Sequence, residues 1–318
     1  MRQRRLGTNG PEVSAVGFGC MSRSTAYDTN ERDDEESVRV IHRAIELGTN
    51  FIDTAEVYGP YENEEVVGRA LAEGNLREQV VLATKTGLIL EDGRIQPDER
   101  PERMREAIDG SLRRLGTDHV DLYYLHRVDP AVPIEESWGV MKEIVESGNA
   151  KRLGISEAAL EQIEKAHAIH PISAVQSEMS LWTREWIEAG VVGWCAENGT
   201  AFVPYAPLGC GYLTGALSSR EGFDENDFRA RNPRFTREAM EGNRRIVETV
   251  KAVAERLRAT PAQVAIAWTL TQGEHVIPIP GTKKVRRLEE NAAAADLDLR
   301  EDVLAELDRI PASVAPRY

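Results

Sequence analysis

Short β-rich runs alternate with amphipathic helical stretches along nearly the whole chain. This alternation restricts the fold more than any single motif. The candidate strands are 15–21 (AVGFGCM), 50–55 (NFIDTA), 80–87 (VVLATKTG), 120–127 (VDLYYLHR), 151–156 (KRLGIS), 172–178 (ISAVQSE), 200–209 (TAFVPYAPLG) and 275–281 (HVIPIPG). Their centres are continuous apolar runs, the pattern of parallel strands covered on both faces. Between them, stretches such as DDEESVRVIHRAIELG put Val38, Ile41 and Ile45 on one side, acids in the first turn and Gly48 past the end. PERMREAIDGSLRRLG opens with Pro101 at a first helical position and stops at Gly116. Eight such repeats predict an α/β fold, a closed (β/α)8 TIM barrel over residues 1–318 as one domain, in preference to an open doubly wound sheet. The surplus residues predict an N-terminal β-hairpin turning at Asn9-Gly10, a long loop over 210–240 and an extra C-terminal helix in LREDVLAELDRI.

Charge narrows the partners. The chain has 39 Lys and Arg against 53 Asp and Glu, a formal charge of −14. Binding to nucleic acid or to anionic membranes draws on the opposite excess, so neither is expected. No apolar run approaches the ~20 residues that span a bilayer, and the basic start MRQRRLGTNG lacks the apolar stretch of a secretory signal. Cys20, Cys195 and Cys210 are odd in number and widely spaced, which points to a reducing, cytoplasmic setting without disulfides or a zinc site. His167 and His170 lack a third ligand and read as solvated surface, so no metal is expected.

In a barrel of this type the working residues sit at the C-terminal ends of strands. That rule selects Asp53 and Tyr58 after the second strand, Lys85 at the end of the third and His126-Arg127 at the end of the fourth. It also selects Gln176, Tyr205 and the loop 281–284. Singly, each has an ordinary structural explanation. Together, Asp53, Tyr58, Lys85 and His126 fall at one end of three successive strands. A lysine ammonium near a phenol favours the phenolate and lowers the tyrosine pKa, and an aspartate beside the lysine holds it. A histidine alongside can orient a carbonyl that is becoming an alkoxide. GFGCMS and GCGYLTG lack G-x-G-x-x-G spacing, so a Rossmann fingerprint is rejected. A hydrolase with paired carboxylates would need a second acid facing Asp53, for which only Glu178 offers itself.

The segments GTNFIDTAEVYG, VVLATKTG, DLYYLHR, AVQSEMSLW, YAPLGCGYLTG and IPGTKKVRRLEEN, in this order, closely resemble the aldo-keto reductase superfamily. The resemblance implies an oxidoreductase that reduces a small-molecule carbonyl substrate with NADPH. It implies Tyr58 as general acid, Lys85 tuning it, Asp53 pairing with Lys85, and His126 orienting the carbonyl. For the cofactor it implies Tyr205 stacking on nicotinamide, with Ser156 and Gln176 at the carboxamide and Gly19, Cys20, Met21 and Asp53 nearby. Ala206, Pro207, Leu208, Gly209, Gly211 and Leu213 would wrap the pyrophosphate. Ile279, Pro280, Gly281, Thr282, Lys283, Arg287, Glu290 and Asn291 would hold the 2′-phosphate end. Many members follow the serine with Asn; here it is Glu157. A cofactor-sensing protein, like the potassium-channel β-subunits, is the alternative on the same fold. Substrate choice would lie in loops 22–32, 86–98 and 210–240.

Overall fold

The computed structural model describes residues 1–23, 32–217, 219–221, 223 and 227–317. A two-stranded hairpin, β1 (Gln3–Arg5) and β2 (Glu12–Ser14), comes first, with Arg4 opposite Val13. The barrel elements then follow in order. They are β3 (Phe18–Gly19), α1 (Asp34–Glu46), β4 (Phe51–Asp53), α2 (Glu62–Glu73) and β5 (Val81–Thr86). After a second hairpin, β6 (Leu88–Glu91) and β7 (Arg94–Pro97), come α3 (Pro101–Leu115), β8 (Leu122–Leu125) and α4 (Ile134–Glu146). Next are β9 (Leu153–Ser156), α5 (Leu160–Ile169), β10 (Ile172–Glu178), α6 (Glu185–Glu188), α7 (Val191–Glu197) and β11 (Ala201–Tyr205). The chain ends with α8 (Arg237–Gly242), α9 (Arg244–Leu257), α10 (Pro261–Leu270), α11 (Val285–Ala293) and α12 (Glu301–Asp308).

Seven strands form one parallel sheet in the order β11-β10-β9-β8-β5-β4-β3. Segment 275–279 closes it. Ile277 N donates to Phe202 O at 2.8 Å and Ile279 N to Pro204 O at 3.0 Å, while Gly17 N donates to Pro278 O at 2.9 Å from the other side. The expected strand 275–281 therefore occupies the eighth place without becoming a regular strand. Pro278 and Pro280 have no N–H to offer toward β3, so the ladder on that side stays sparse. The expected loop 86–98 is also corrected: it is largely the hairpin β6–β7, with Leu88 paired to Pro97. Part of the expected loop 22–32 lies outside the described residues. In the expected loop 210–240, part of which also lies outside the described residues, the described residues carry short 3₁₀ turns and the start of α8.

The strands of the seven-stranded sheet separate two apolar layers. Phe51, Val81, Ala83, Leu122, Tyr124, Ala174, Ala201, Val203, Ile277 and Ile279 pack together inside the barrel, joined by Leu6 and Val13 of the hairpin segment, which plugs one mouth. Ile52, Leu82, Tyr123, Leu125, Leu153, Ile155, Val175 and Phe202 point outward into the helix layer. The two-residue period of the strand assigns alternate residues to the two layers, and this explains the continuous apolar runs. The helices stop where the sequence indicates. Asp33 caps α1 by accepting from Glu36 N at 2.9 Å, and Gly116 ends α3 with φ of +65°. His167 and His170 are half-buried, and of the two rings only that of His167 has contacts among the described residues that draw it inward. His167 Nδ1 accepts from Ile172 N at 3.2 Å and its ring packs edge-on against Trp194, while His170 O accepts from Trp138 Nε1 at 2.9 Å.

Inside the barrel, Gly154 leaves room for the Tyr124 ring: a Cβ there would lie 2.4 Å from two ring carbons and 3.0 Å from Ala174 O. Gly154→Val should lower unfolding free energy by about 1–3 kcal/mol through overpacking, read as a lower urea midpoint. An unchanged midpoint would show that Tyr124 has space to move.

Candidate active site

The inward-facing rows of the strands begin apolar and end polar. Two residues beyond Phe51 stands Asp53, two beyond Ala83 stands Lys85, and two beyond Tyr124 stands His126. Gly154 is followed in the same way by Ser156, Ala174 by Gln176 and Val203 by Tyr205. Strand period alone gathers these side chains at the C-terminal mouth of the barrel. Asp53, Lys85, His126, Ser156 and Gln176 are all buried, and Tyr58 and Tyr205 are half-buried.

Lys85 is the centre of the group. Its Nζ donates to Asp53 Oδ1 at 2.5 Å, to Thr54 O at 2.8 Å and to Tyr58 Oη at 3.2 Å. The remaining Asp53 oxygen, Oδ2, accepts from Gln176 Nε2 at 2.8 Å. That bond fixes the amide of Gln176, leaving its carbonyl oxygen as the acceptor. The His126 ring meets the Tyr58 ring edge-on, with centroids 5.7 Å apart. Ser156 Oγ accepts from Arg127 Nη1 at 3.1 Å. The loop that carries Tyr58 is tied to strand β5 and helix α3. Glu56 accepts from Thr86 Oγ1 at 3.0 Å and from Arg103 Nη2 at 2.8 Å.

Burial dominates the proton equilibria. It opposes the Lys85 ammonium, but the charges and hydrogen bonds of Asp53 and Tyr58 overcome it, and the lysine pKa stands above its ordinary value. Burial raises the Tyr58 phenol above the ordinary tyrosine range; Lys85 and Arg127 pull it down without prevailing. The lowering expected from the sequence thus operates, but desolvation of the phenolate is larger. Burial, with Arg127 and Lys85 beside it, pushes His126 well below the ordinary histidine value, so the ring is neutral. Its Nδ1 is buried without a hydrogen-bond partner among the described residues.

Neighbouring the four residues are the segments expected to hold a cofactor. Gly19, Cys20 and Met21 leave β3 directly against Ile279, Pro280 and Gly281. A Cβ on Gly281 would lie 2.7 Å from Gly19 O, so the bare backbones set this approach. Tyr205 opens the turn Ala206-Pro207-Leu208, and Gly209, Cys210 and Gly211 follow with φ of +55°, +55° and +93°. Thr282 is buried, Lys283 and Glu290 half-buried, Arg287 exposed and Asn291 buried. Helix α11 begins at Val285 with no acidic residue in its first turn and no side-chain cap at Lys284. Hydrogen bonds link Gln176 directly to Asp53, whereas α11 packs against α1 and α10.

A paired-carboxylate reading has no footing here. Both Asp53 oxygens are engaged, and Glu178 is held by Arg234 Nη1 at 2.8 Å and Thr183 Oγ1 at 2.7 Å. Trp182, just beyond β10, is buried against Tyr212 and Phe235. The sequence reading gave no role to Arg127, which reaches Ser156, or to Arg317, which pairs with Glu157. The charge of Glu157, where the family resemblance implies Asn, is the sequence hint that a cation stands opposite. No group of three metal-ligating residues occurs among the described residues.

Comparison with known proteins agrees with this geometry. The profile of the Aldo/keto reductase family matches residues 15–312. A probable aldo-keto reductase of Glycine max is 44% identical over 307 residues, covering 95% of this chain and 87% of that protein. Among solved structures, a glycerol dehydrogenase from Gluconobacter oxydans superposes with a TM-score of 0.87 at 29% identity, covering 97% of this chain and 94% of that one. An aldo-keto reductase from Bacillus halodurans, in its holo form, gives 0.79 at 26% identity, covering 100% and 98%. The chain belongs to the aldo/keto reductase family. Such proteins are oxidoreductases of carbonyl and alcohol substrates that use a nicotinamide cofactor.

Removing Lys85 leaves a buried carboxylate without its cation. Lys85→Met should cost about 3–5 kcal/mol of stability, measured by urea unfolding. Adding Asp53→Asn should recover part of that loss. Strictly additive losses would mean that the two residues are not energetically coupled.

Proposed function

We propose that the protein is an NADPH-dependent reductase of aldehydes or ketones, with Tyr58 as general acid. The observation that carries this reading is Lys85 Nζ placed between Asp53 Oδ1 at 2.5 Å and Tyr58 Oη at 3.2 Å. Bound NADPH supplies the hydride. The chain's own residues supply the rest. Neutral His126, its pKa held down by burial, is suited to hydrogen-bond the substrate carbonyl without adding a charge. Tyr58 gives its proton to the oxygen, and Lys85 stabilises the phenolate left behind. Asp53 keeps the lysine in place.

The raised phenol pKa keeps Tyr58 protonated through the neutral range, the form that reduction needs. Reduction should therefore fall only as pH rises through that elevated value. Alcohol oxidation, which needs phenolate, should grow with pH. Among the described residues no helix is long and apolar enough to cross a membrane, and Cys195 is a buried free thiol. A cytoplasmic enzyme acting on a small carbonyl compound is in keeping with both.

The residues fit the cofactor chemically. The Ser156 hydroxyl and the Gln176 carbonyl oxygen can meet the donor and acceptor of a carboxamide. Gly209 N and Gly211 N close the turn on Ala206 O and Leu208 O, and the absence of Cβ atoms at the two glycines lets a pyrophosphate approach this backbone closely. At α11 an uncapped N-terminus is surrounded by Lys283, Lys284, Arg286 and Arg287, although cations disfavour a helix N-terminus. A 2′-phosphate on that end resolves the conflict.

Tyr58→Phe removes the proton but keeps the ring. It should lower kcat by about 10²–10⁴ while cofactor affinity stays near wild type. Turnover at the wild-type rate would remove Tyr58 from the role.

The 2′-phosphate assignment predicts that NADPH binds at least ~10²-fold more tightly than NADH, from charge-assisted contacts worth about 1.5–3 kcal/mol each. Fluorescence titration of Lys283→Ala with Arg287→Ala should erase the preference and leave NADH affinity in place. Equal wild-type affinities, or a preference that survives the double substitution, would refute it.

A further inference from the structure

A second buried charge cluster lies at the same mouth of the barrel and takes no part in the proton transfer proposed above. Glu157 follows Ser156 directly and has φ of +53°, a strained value for a residue with a Cβ. Its Oε1 accepts from Glu178 N at 2.8 Å. Arg317, in the tail beyond α12, grips the same carboxylate with both terminal nitrogens. Nη1 lies 3.1 Å from Oε1, and Nη2 pairs with Oε2. Arg317 Nε stands 3.9 Å from Glu178 Oε2, and Arg234 Nη1 stands 2.8 Å from Glu178 Oε1. Side-chain exposure is 6% for Glu157, 14% for Arg317 and 5% each for Glu178 and Arg234, so water screens these charges weakly. Glu185, largely exposed, adds a distant contact to Arg234 at 3.9 Å.

The cluster adjoins the seat proposed for the nicotinamide. Glu178 is the register partner of Tyr205 in the β10–β11 pairing. It lies two residues beyond Gln176 and shares its inward face. The tail that delivers Arg317 is fixed by other bonds: Asn232 Nδ2 donates to Arg317 O at 3.1 Å and Val314 N to Asn243 Oδ1 at 3.1 Å.

We propose that Arg317 is a positioning residue that holds Glu157 and offsets the Glu157 and Glu178 carboxylates beside the nicotinamide, thereby setting the relative affinity for oxidised and reduced cofactor. The inference rests on the functional reading given above. An oxidised nicotinamide ring carries a positive charge, and a reduced ring carries none. Excess negative charge at its edge favours the oxidised form, and Arg317 cancels that bias. A change of one charge several ångströms away, in partly buried surroundings, alters the affinity ratio about tenfold.

The experiment is fluorescence titration of the full-length protein with NADP⁺ and with NADPH. Arg317→Ala should raise the ratio of the NADPH Kd to the NADP⁺ Kd about tenfold, and Arg317→Lys should keep it near wild type. Glu157→Gln should move it the opposite way, and Glu157→Gln with Arg317→Ala should return it toward wild type. A purely structural Arg317 would weaken both cofactors equally on removal. That result, an unchanged ratio in Arg317→Ala, or a lysine variant that behaves like alanine would overturn the proposal. Wild-type protein that binds neither form would overturn the functional reading itself, and this proposal with it.

Discussion

A lysine ammonium buried at the end of a barrel strand is tolerable only when its charge and its donors are matched, and Lys85 is matched three times over. Asp53, the Thr54 carbonyl and the Tyr58 hydroxyl surround it. None of these contacts could form if β4 and β5 slipped by one residue. Register pairs Asp53 with Ala83, which places Lys85 two residues further along on the same inward face. A slip would turn Lys85 into the helix layer, among Leu82 and Ile52. The ion pair and the strand register thus enforce each other, and the Tyr58 loop is built on that register.

The same period that positions the site also divides the molecule's labour. Inside the barrel, rows run from the plug of Leu6 and Val13 through close-packed aliphatic and aromatic side chains to a polar rim. The rows end where desolvation becomes most costly for ions, and the structure answers with pairs: Asp53 with Lys85, Glu56 with Arg103, Glu178 with Arg234, Glu157 with Arg317. Replacing one member of such a pair strands the other in low dielectric, so the rim resists piecemeal change.

Much of this was legible in the sequence because barrel strands leave a strong trace. Continuous apolar runs ending in Asp53, Lys85 and His126 place three side chains at one mouth on sequence alone. Other elements left a weaker trace. HVIPIPG reads as a strand by composition, yet its prolines remove the N–H groups that would complete the ladder. Hairpin β6–β7 has Leu90 and Ile95 exposed, and an alternation without a buried face resembles a loop. The direction of the Tyr58 shift depends on burial against charge, and burial of a loop residue is a tertiary property. Arg317 could not be paired with Glu157 from sequence, since nothing local connects them.

The seam between β3 and segment 275–279 bears on how the chain folds. Gly17 and Pro278, which meet there, are separated by about 260 residues. Contacts of such long range close late, because the chain entropy they cost is not offset until the intervening units are in place. During synthesis the first strand leaves the ribosome long before its closing partner exists. Until then β3 is an open edge, shielded by nothing that its own neighbourhood encodes beyond β4. The glycines at 19 and 281, which let the two strand ends touch, therefore belong to a late event of folding. The rim they complete can form only once segment 275–281 has been made.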